Sequence, residues 1–314
     1  MNRYLRSIGY HNITNLLQLE SILQDVIDTP AYRSIQSTND GYYLAQFQKD
    51  LGNGYGISII GEYASEKHPS EHFVIEHYYP YYYGSGQTEE ESMFVEENQD
   101  KLAYTGVSNN SNLGIPLIYH IQNIMDYKLY SHYCPYEPIL SEVAYSGLSV
   151  DGVIILGFEK KKSSEQRKQK SREEKRGRLI SAARNGDMDA VESLTLADID
   201  LYSSVSKRSK EEDLYSIVDS YIIPYGSNSE EYSVMGTITR YNAERNPYTN
   251  ASLHTMTVQA NGIELDILIN DVDLIGEPAV GRRFKGIVWL QGYLILPDDY
   301  PHRETPDESQ QKQE

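Results

Sequence analysis

Cysteine is nearly absent from these 314 residues: Cys134 stands alone. A single thiol can neither close an internal disulfide nor supply a thiolate metal site, so a reducing, cytoplasmic setting is expected. His132 lies two residues away and would share a strand face with Cys134, yet nothing else supports a nucleophile pair; Cys134 is read as a plain thiol. Long apolar runs are also missing. The opening MNRYLRSIGYHNITNLLQLE has no apolar stretch behind its basic residues, and no window approaches the ~20 apolar residues that span a bilayer. Neither a signal peptide nor insertion in a membrane is expected. Positive charge is scarce too: 28 Lys and Arg face 46 Asp and Glu, a formal charge of −18. Long-range repulsion then disfavours phosphate backbones, and nucleic acid is a disfavoured partner. No Walker motif, G-x-S-x-G elbow, H-E-x-x-H or paired C-x-x-C occurs, and no cofactor is expected.

What is present predicts an α+β chain. Over residues 13–28, Leu16, Leu19, Leu23 and Ile27 recur at helical spacing with Ile22 and Val26 beside them, and Pro30 stops the pattern. Strand signals follow. GYYLAQFQKDL and YGISIIGEY flank Asn53-Gly54, whose positive φ angles suit a tight hairpin. The string GNGYG at 52–56 is therefore a turn rather than a phosphate loop, because the β-branched run ISII follows it instead of a helix. Further strands are expected at 72–79, 93–97, 102–107 and 115–122, and Asp151-Gly152 is expected to turn a hairpin between 143–150 and 153–158. Residues 1–159 thus read as an antiparallel sheet with a helix on one face.

Residues 160–225 read as a helical connector. Its stretch EKKKSSEQRKQKSREEKRGR (159–178) holds ten Lys/Arg and four Glu without an apolar stripe, so it is expected to be solvated. Ser209 and Glu212 form a capping box before a helix over 214–221 that Pro224 ends. Residues 226–297 read as a small β-barrel of the oligonucleotide/oligosaccharide-binding (OB) type. Asn261-Gly262 joins two strands, Ile263, Leu265, Ile267 and Ile269 share an apolar face, and Gly286 and Gly292 bend the last strand. Trp289 has apolar neighbours on both faces of that strand and is expected to anchor it against the helix over 214–221. The acidic, proline-punctuated residues 298–314 read as a disordered tail.

The strings GEPAVGRRFKGIVWLQG (276–292), EEDLYSIVDSYIIPYG (211–226) and the opening MNRYLRSIGY together resemble a bacterial family known as a domain of unknown function. The resemblance spans essentially the whole chain. It implies a full-length cytoplasmic protein of this plan and carries no activity, substrate or functional residue with it.

Three groups of residues are candidates for chemistry. His68, Glu71, His72, Glu76 and His77 are the densest set of metal-ligand types, but HFVIEHYY reads as a strand that splits them between two faces, so no metal site is expected. Tyr78, Tyr79, Tyr81, Tyr82 and Tyr83 form an aromatic run in a chain with 28 tyrosines. Such a run suits a binding surface for a protein, a sugar ring or a base, and it equally suits half-buried positions of a sheet. Arg282, Arg283 and Lys285 are the barrel's basic cluster; they are candidates for a ligand groove or for ion pairs with the acidic DLIGEP segment. The function expected is that of a non-enzymatic interaction or regulatory protein with a protein partner. The alternatives are small-ligand, single-strand or oligosaccharide binding through the barrel, and an enzyme with an unfamiliar site.

Overall fold

A computed structural model describes residues 2–37, 41–63, 73–86, 91–98, 103–108, 115–134, 138–155 and 220–297, with scattered positions between 178 and 193. Most of the 160–225 segment, the 298–314 tail, and His68, Glu71 and His72 therefore lie outside the described residues.

Helix α1 (Leu16–Asp28) starts where Asn15 caps it, accepting a hydrogen bond from the Gln18 backbone N–H at 2.9 Å. Leu19, Leu23 and Val26, spaced by four and three, are its buried face. They pack on an antiparallel sheet ordered β1 (Tyr32–Ser37), β2 (Tyr43–Asp50), β3 (Tyr55–Tyr63), β4 (Val74–Tyr82). A tight turn forms at Asn53-Gly54, where Gly54 takes a positive φ of +77° and Asn53 does not. Lys49 points from β2 toward the helix and binds Asp25 at 2.6 Å.

The other strands form one mixed ten-stranded sheet. They are β5 (Glu91–Asn98), β6 (Ala103–Ser108), β7 (Leu117–Ile121), β8 (Ile139–Ile155), β9 (Tyr221–Pro224), β10 (Glu231–Arg245), β11 (Ser252–Ala260), β12 (Ile263–Asn270), β13 (Leu274–Ile275) and β14 (Arg283–Ile295). A second helix, α2 (Ile124–Tyr133), joins β7 to the loop before β8. The long β8 and β14 pair antiparallel from Arg283 with Ile155 to Ile295 with Glu142. Two cycles of pairings share this ladder: one runs β8, β12, β11, β10, β14, and the other β8, β5, β6, β7, β14. The first cycle closes on a parallel pair, β12 with β8. The protein is thus mostly β, with the antiparallel four-stranded sheet and the large mixed sheet as its two bodies of strand.

Several expectations are corrected. Asp151-Gly152 is not a turn: both residues lie inside β8, and a bulge opposite Ile287 and Val288 skips Val150. Gly152 and Gly286 are register partners there, and a Cβ on Gly286 would stand 2.4 Å from the Asp151 carbonyl. The glycines permit close approach of two bent strands, which in the sequence resembles a turn signal. Tyr221–Pro224 is not the end of a helix but strand β9, paired with β10; its prolyl residue sits on an edge strand, where no ladder N–H is missed. The mixed sheet draws strands from both halves of the chain: β8 pairs with β12, β13 and β14.

Candidate functional site

On strand β2, Gln46, Gln48 and Asp50 stand two residues apart and so share one face, opposite Lys49 and helix α1. That face looks into a cleft of about 600 Å³ between the four-stranded sheet and one end of the β8–β14 ladder. From the far wall come Ala144 of β8 and Tyr293 and Ile295 of β14; Asn123 and Asp126 enter from the start of α2, and Tyr83 and Gly84 from the chain after β4.

The polar face is held from β4. Tyr79, Tyr81 and Tyr83 also stand two apart, and each hydroxyl engages one side chain of β2. Gln46 Nε2 donates to Tyr79 Oη at 3.3 Å, Tyr81 Oη donates to Asp50 Oδ1, and Tyr83 Oη donates to Gln48 Oε1 at 3.1 Å. These contacts reach across β3, where the intervening residues are small. Gln46 Nε2 also donates to Ser58 Oγ at 2.9 Å, and Gly56 pairs with both Asp50 and Tyr81. A Cβ on Gly56 would stand 2.6 Å from the Tyr81 hydroxyl, so only glycine lets the two meet. Burial raises the Tyr81 and Tyr83 hydroxyl pKa values well above the ordinary tyrosine value, with the Asp50 hydrogen bond adding to the rise at Tyr81. Both stay protonated and act as donors.

The far wall is equally fixed. Asn123 Nδ2 donates to the Leu294 carbonyl and Asn123 Oδ1 accepts from the Leu294 N–H, both at 2.9 Å. Asn123 Nδ2 also lies 3.3 Å from Asp126 Oδ2. The Tyr83 and Tyr293 rings meet edge to face, centroids 5.6 Å apart at 89°. Gln36 Nε2 donates to the Met125 carbonyl at 2.7 Å and ties β1 to α2. Among the described residues that line the cleft there is no Lys, Arg or His, whereas Asp50 and Asp126 are present.

A profile for a domain of unknown function, described as an E. rectale gene description (DUF3881), matches residues 5–292. The chain belongs to the DUF3881 family. No curated protein and no solved structure matches it. The match covers the cleft residues of β2, of the chain after β4 and of α2, and ends one residue before Tyr293.

In this DUF3881 chain, Tyr79, Tyr81 and Tyr82 are buried in the core, Tyr78 is half-buried, and Tyr83 is the member of the run that lines the cleft. Arg283 is buried at the start of β14, Arg282 donates to the Glu277 carbonyl, and Lys285 is half-buried beside Met235 and Val153. The basic cluster and Tyr293 thus occupy opposite ends of β14 and do not meet. His77 packs on Tyr79, ring centroids 5.4 Å apart, while Glu76 is exposed. Among the described residues no three His, Cys, Asp or Glu side chains are placed to hold a metal ion, and no helix is long and apolar enough to cross a membrane. Cys134 is half-buried at the end of α2.

A second polar cluster lies largely in the core, with Glu230 half-buried at its edge. Trp289 stacks on Tyr4 at 5.2 Å, lies 5.1 Å from His120 and donates from Nε1 to Glu230 Oε2 at 2.6 Å. Its partners among the described residues are the N-terminal 3₁₀ turn (Arg3–Arg6) and β7; the helix expected over 214–221 falls mostly outside the described residues. Burial pushes the His120 imidazole down to about 3, keeping it neutral.

Gln46, Gln48, Asn123, Asp126 and Tyr293 escaped the sequence reading. The string QFQKD does carry a signal: two glutamines alternate with Phe47 and Lys49 inside a strand. Asn123, Asp126 and Tyr293 are brought in by pairings distant in sequence and leave no trace in it.

Proposed function

We propose that this protein is a non-enzymatic binding protein that receives a small polar ligand in the cleft between its two sheets. One observation carries the reading: glutamine, asparagine, aspartate and tyrosine side chains from both sheets converge on about 600 Å³, each oriented by hydrogen bonds or ring contacts already made. A volume of several hundred Å³ walled by aromatic groups with a few fixed polar ones is the usual form of a small-molecule site. Burial of Tyr79, Tyr81 and Tyr82 removes most of the tyrosine run as a docking surface for a protein, which favours the small-ligand reading over protein interaction.

The cycle β8, β12, β11, β10, β14 supports a finer reading as an OB-like ring completed by β8, a strand from the first half of the chain. The single cysteine supports a cytoplasmic setting for both readings. Native mass spectrometry of the gently purified full chain tests the ligand reading. A small molecule should be retained by the wild type and lost from Ile295→Trp, which fills the cleft at its rim. Equal occupancy of both proteins, or an empty wild type under all purification conditions, would contradict it.

A further inference from the structure

We infer that Tyr241, away from the cleft, is a covalent acceptor site: a phenol activated by a histidine–aspartate pair to take a small acyl group from an activated ester. The register of the mixed sheet assembles the three side chains. Tyr241 on β10 pairs with Met256 on β11, so His254, two residues before Met256, lies diagonally across from it on the same face. His254 pairs in turn with Ile269 on β12, and Asp271 opens the 3₁₀ turn (Asp271–Asp273) that follows this strand. Asp271 is 63% exposed and Tyr241 is half-buried, so the group lies at the surface.

The contacts run as one chain. His254 Nε2 stands 2.9 Å from Asp271 Oδ1, and Tyr241 Oη stands 3.0 Å from His254 Nδ1. A carboxylate can only accept, so Nε2 carries the hydrogen and donates it to Asp271. The neutral ring then presents Nδ1 as an acceptor, and Tyr241 Oη donates to it. A hydroxyl within hydrogen-bond reach of a base that a third group orients is the arrangement of an activated nucleophile. Burial, with the Asp271 carboxylate adding to it, raises the Tyr241 hydroxyl above the ordinary tyrosine value. Free phenolate is therefore scarce at neutral pH, and attack needs a base that takes the proton as the new bond forms. His254 Nδ1 is placed to do so. In the step, Tyr241 Oη bonds to the acyl carbon of the ester, the bond from that carbon to the leaving oxygen breaks, and the proton passes through His254 Nδ1 to that oxygen. The exposed carboxylate beside the phenol favours a neutral acyl donor over an anionic phosphoryl one.

Acetylation of the full chain by p-nitrophenyl acetate, a neutral activated ester, at neutral pH with peptide mapping by mass spectrometry tests the inference. Tyr241 should take one acetyl group at least roughly tenfold faster than Tyr133 and Tyr225, although those two are the more exposed phenols. His254→Gln should remove this advantage. Asp271→Asn, at an exposed position where the thermal melting profile should be retained, should slow Tyr241 roughly tenfold and leave Tyr133 and Tyr225 unchanged. Asp271→Glu, which keeps the carboxylate, should restore part of the rate. Labelling of Tyr241 no faster than that of Tyr225 would overturn the inference. So would a Tyr241 rate unmoved by Asp271→Asn in a protein that melts as the wild type does.

Discussion

The apolar core beside the β8–β14 ladder and the polar cleft at one end of it share the same two strands and solve opposite problems. Beside the ladder, Leu117, Ile222, Val234, Leu265, Val288 and Leu290 from β7, β9, β10, β12 and β14 close on a void of about 10 Å³, at the lower limit for holding a water molecule. In the cleft, about 600 Å³ stays open, and the walls are amide, carboxylate and phenol groups satisfied from behind by tyrosine hydroxyls. A packing defect leaves apolar walls or unsatisfied polar ones. The cleft combines apolar walls, Ala144 and Ile295 among them, with a polar face supported by a row of tyrosines that Gly56 makes possible.

Substitutions should separate these regions by size of effect. Trp289→Ala removes the ring that joins Tyr4, His120 and Glu230 and should destabilise the protein by about 3–5 kcal/mol, read by denaturant unfolding. A comparable loss from Tyr293→Ala would erase the distinction between core and cleft.

The pH dependence comes next. The His120 imidazole is held near 3 in the folded protein against 6.5 in the unfolded chain, so the unfolded state takes up the proton first. The associated stability is whole above pH 6.5 and is lost as pH falls toward 3, at up to about 1.4 kcal/mol per pH unit. Burial raises Glu230, against its hydrogen bonds from Trp289 and Thr105, and a raised carboxyl acts in the opposite sense, regaining stability as acid neutralises it. His120→Phe should therefore unfold less steeply with acid than the wild type. An unchanged slope would remove His120 from the account.

Gly56→Ala puts a Cβ 2.1 Å from the Lys49 carbonyl oxygen and should cost about 1–3 kcal/mol by overpacking, while loosening Tyr81 from Asp50. Thermal melting measures it. The smallest effect expected is that of Tyr83→Phe, which loses one hydrogen bond to Gln48 and about 1 kcal/mol, yet changes any cleft ligand's affinity more than it changes stability.

Local features of this fold were legible and non-local ones were not. The α1 stripe, the Asn53-Gly54 turn and the Asn261-Gly262 turn depend on neighbours a few residues away, and each forms where its residues suggest. Asp151-Gly152 misleads because a glycine needed for close approach to Gly286, 134 positions on, has the same signature as one needed for a turn. Helix α2 hides because IMDYKLYSHY carries only three strongly apolar residues, Ile124, Met125 and Leu129, which do not line up as one stripe. The tyrosine run was visible as unusual, but its role as the support of Gln46, Gln48 and Asp50 depends on β3 lying between, with glycine and serine at the two crossing points. Arg282, Arg283 and Lys285 drew attention as charge alone, whereas burial of Arg283 is a property of its ladder with β8.

The most direct test of the cleft as the ligand site is a titration of the ¹⁵N-labelled full chain with small amines, sugars and carboxylic acids in turn, followed by NMR at the side-chain amides. The account predicts saturable shifts at Gln48 and Asn123, with Trp289 Nε1–H and the backbone signals of Arg282, Arg283 and Lys285 unmoved. Shifts confined to Arg282, Arg283 and Lys285, or no saturable shift at Gln48 and Asn123, would contradict it.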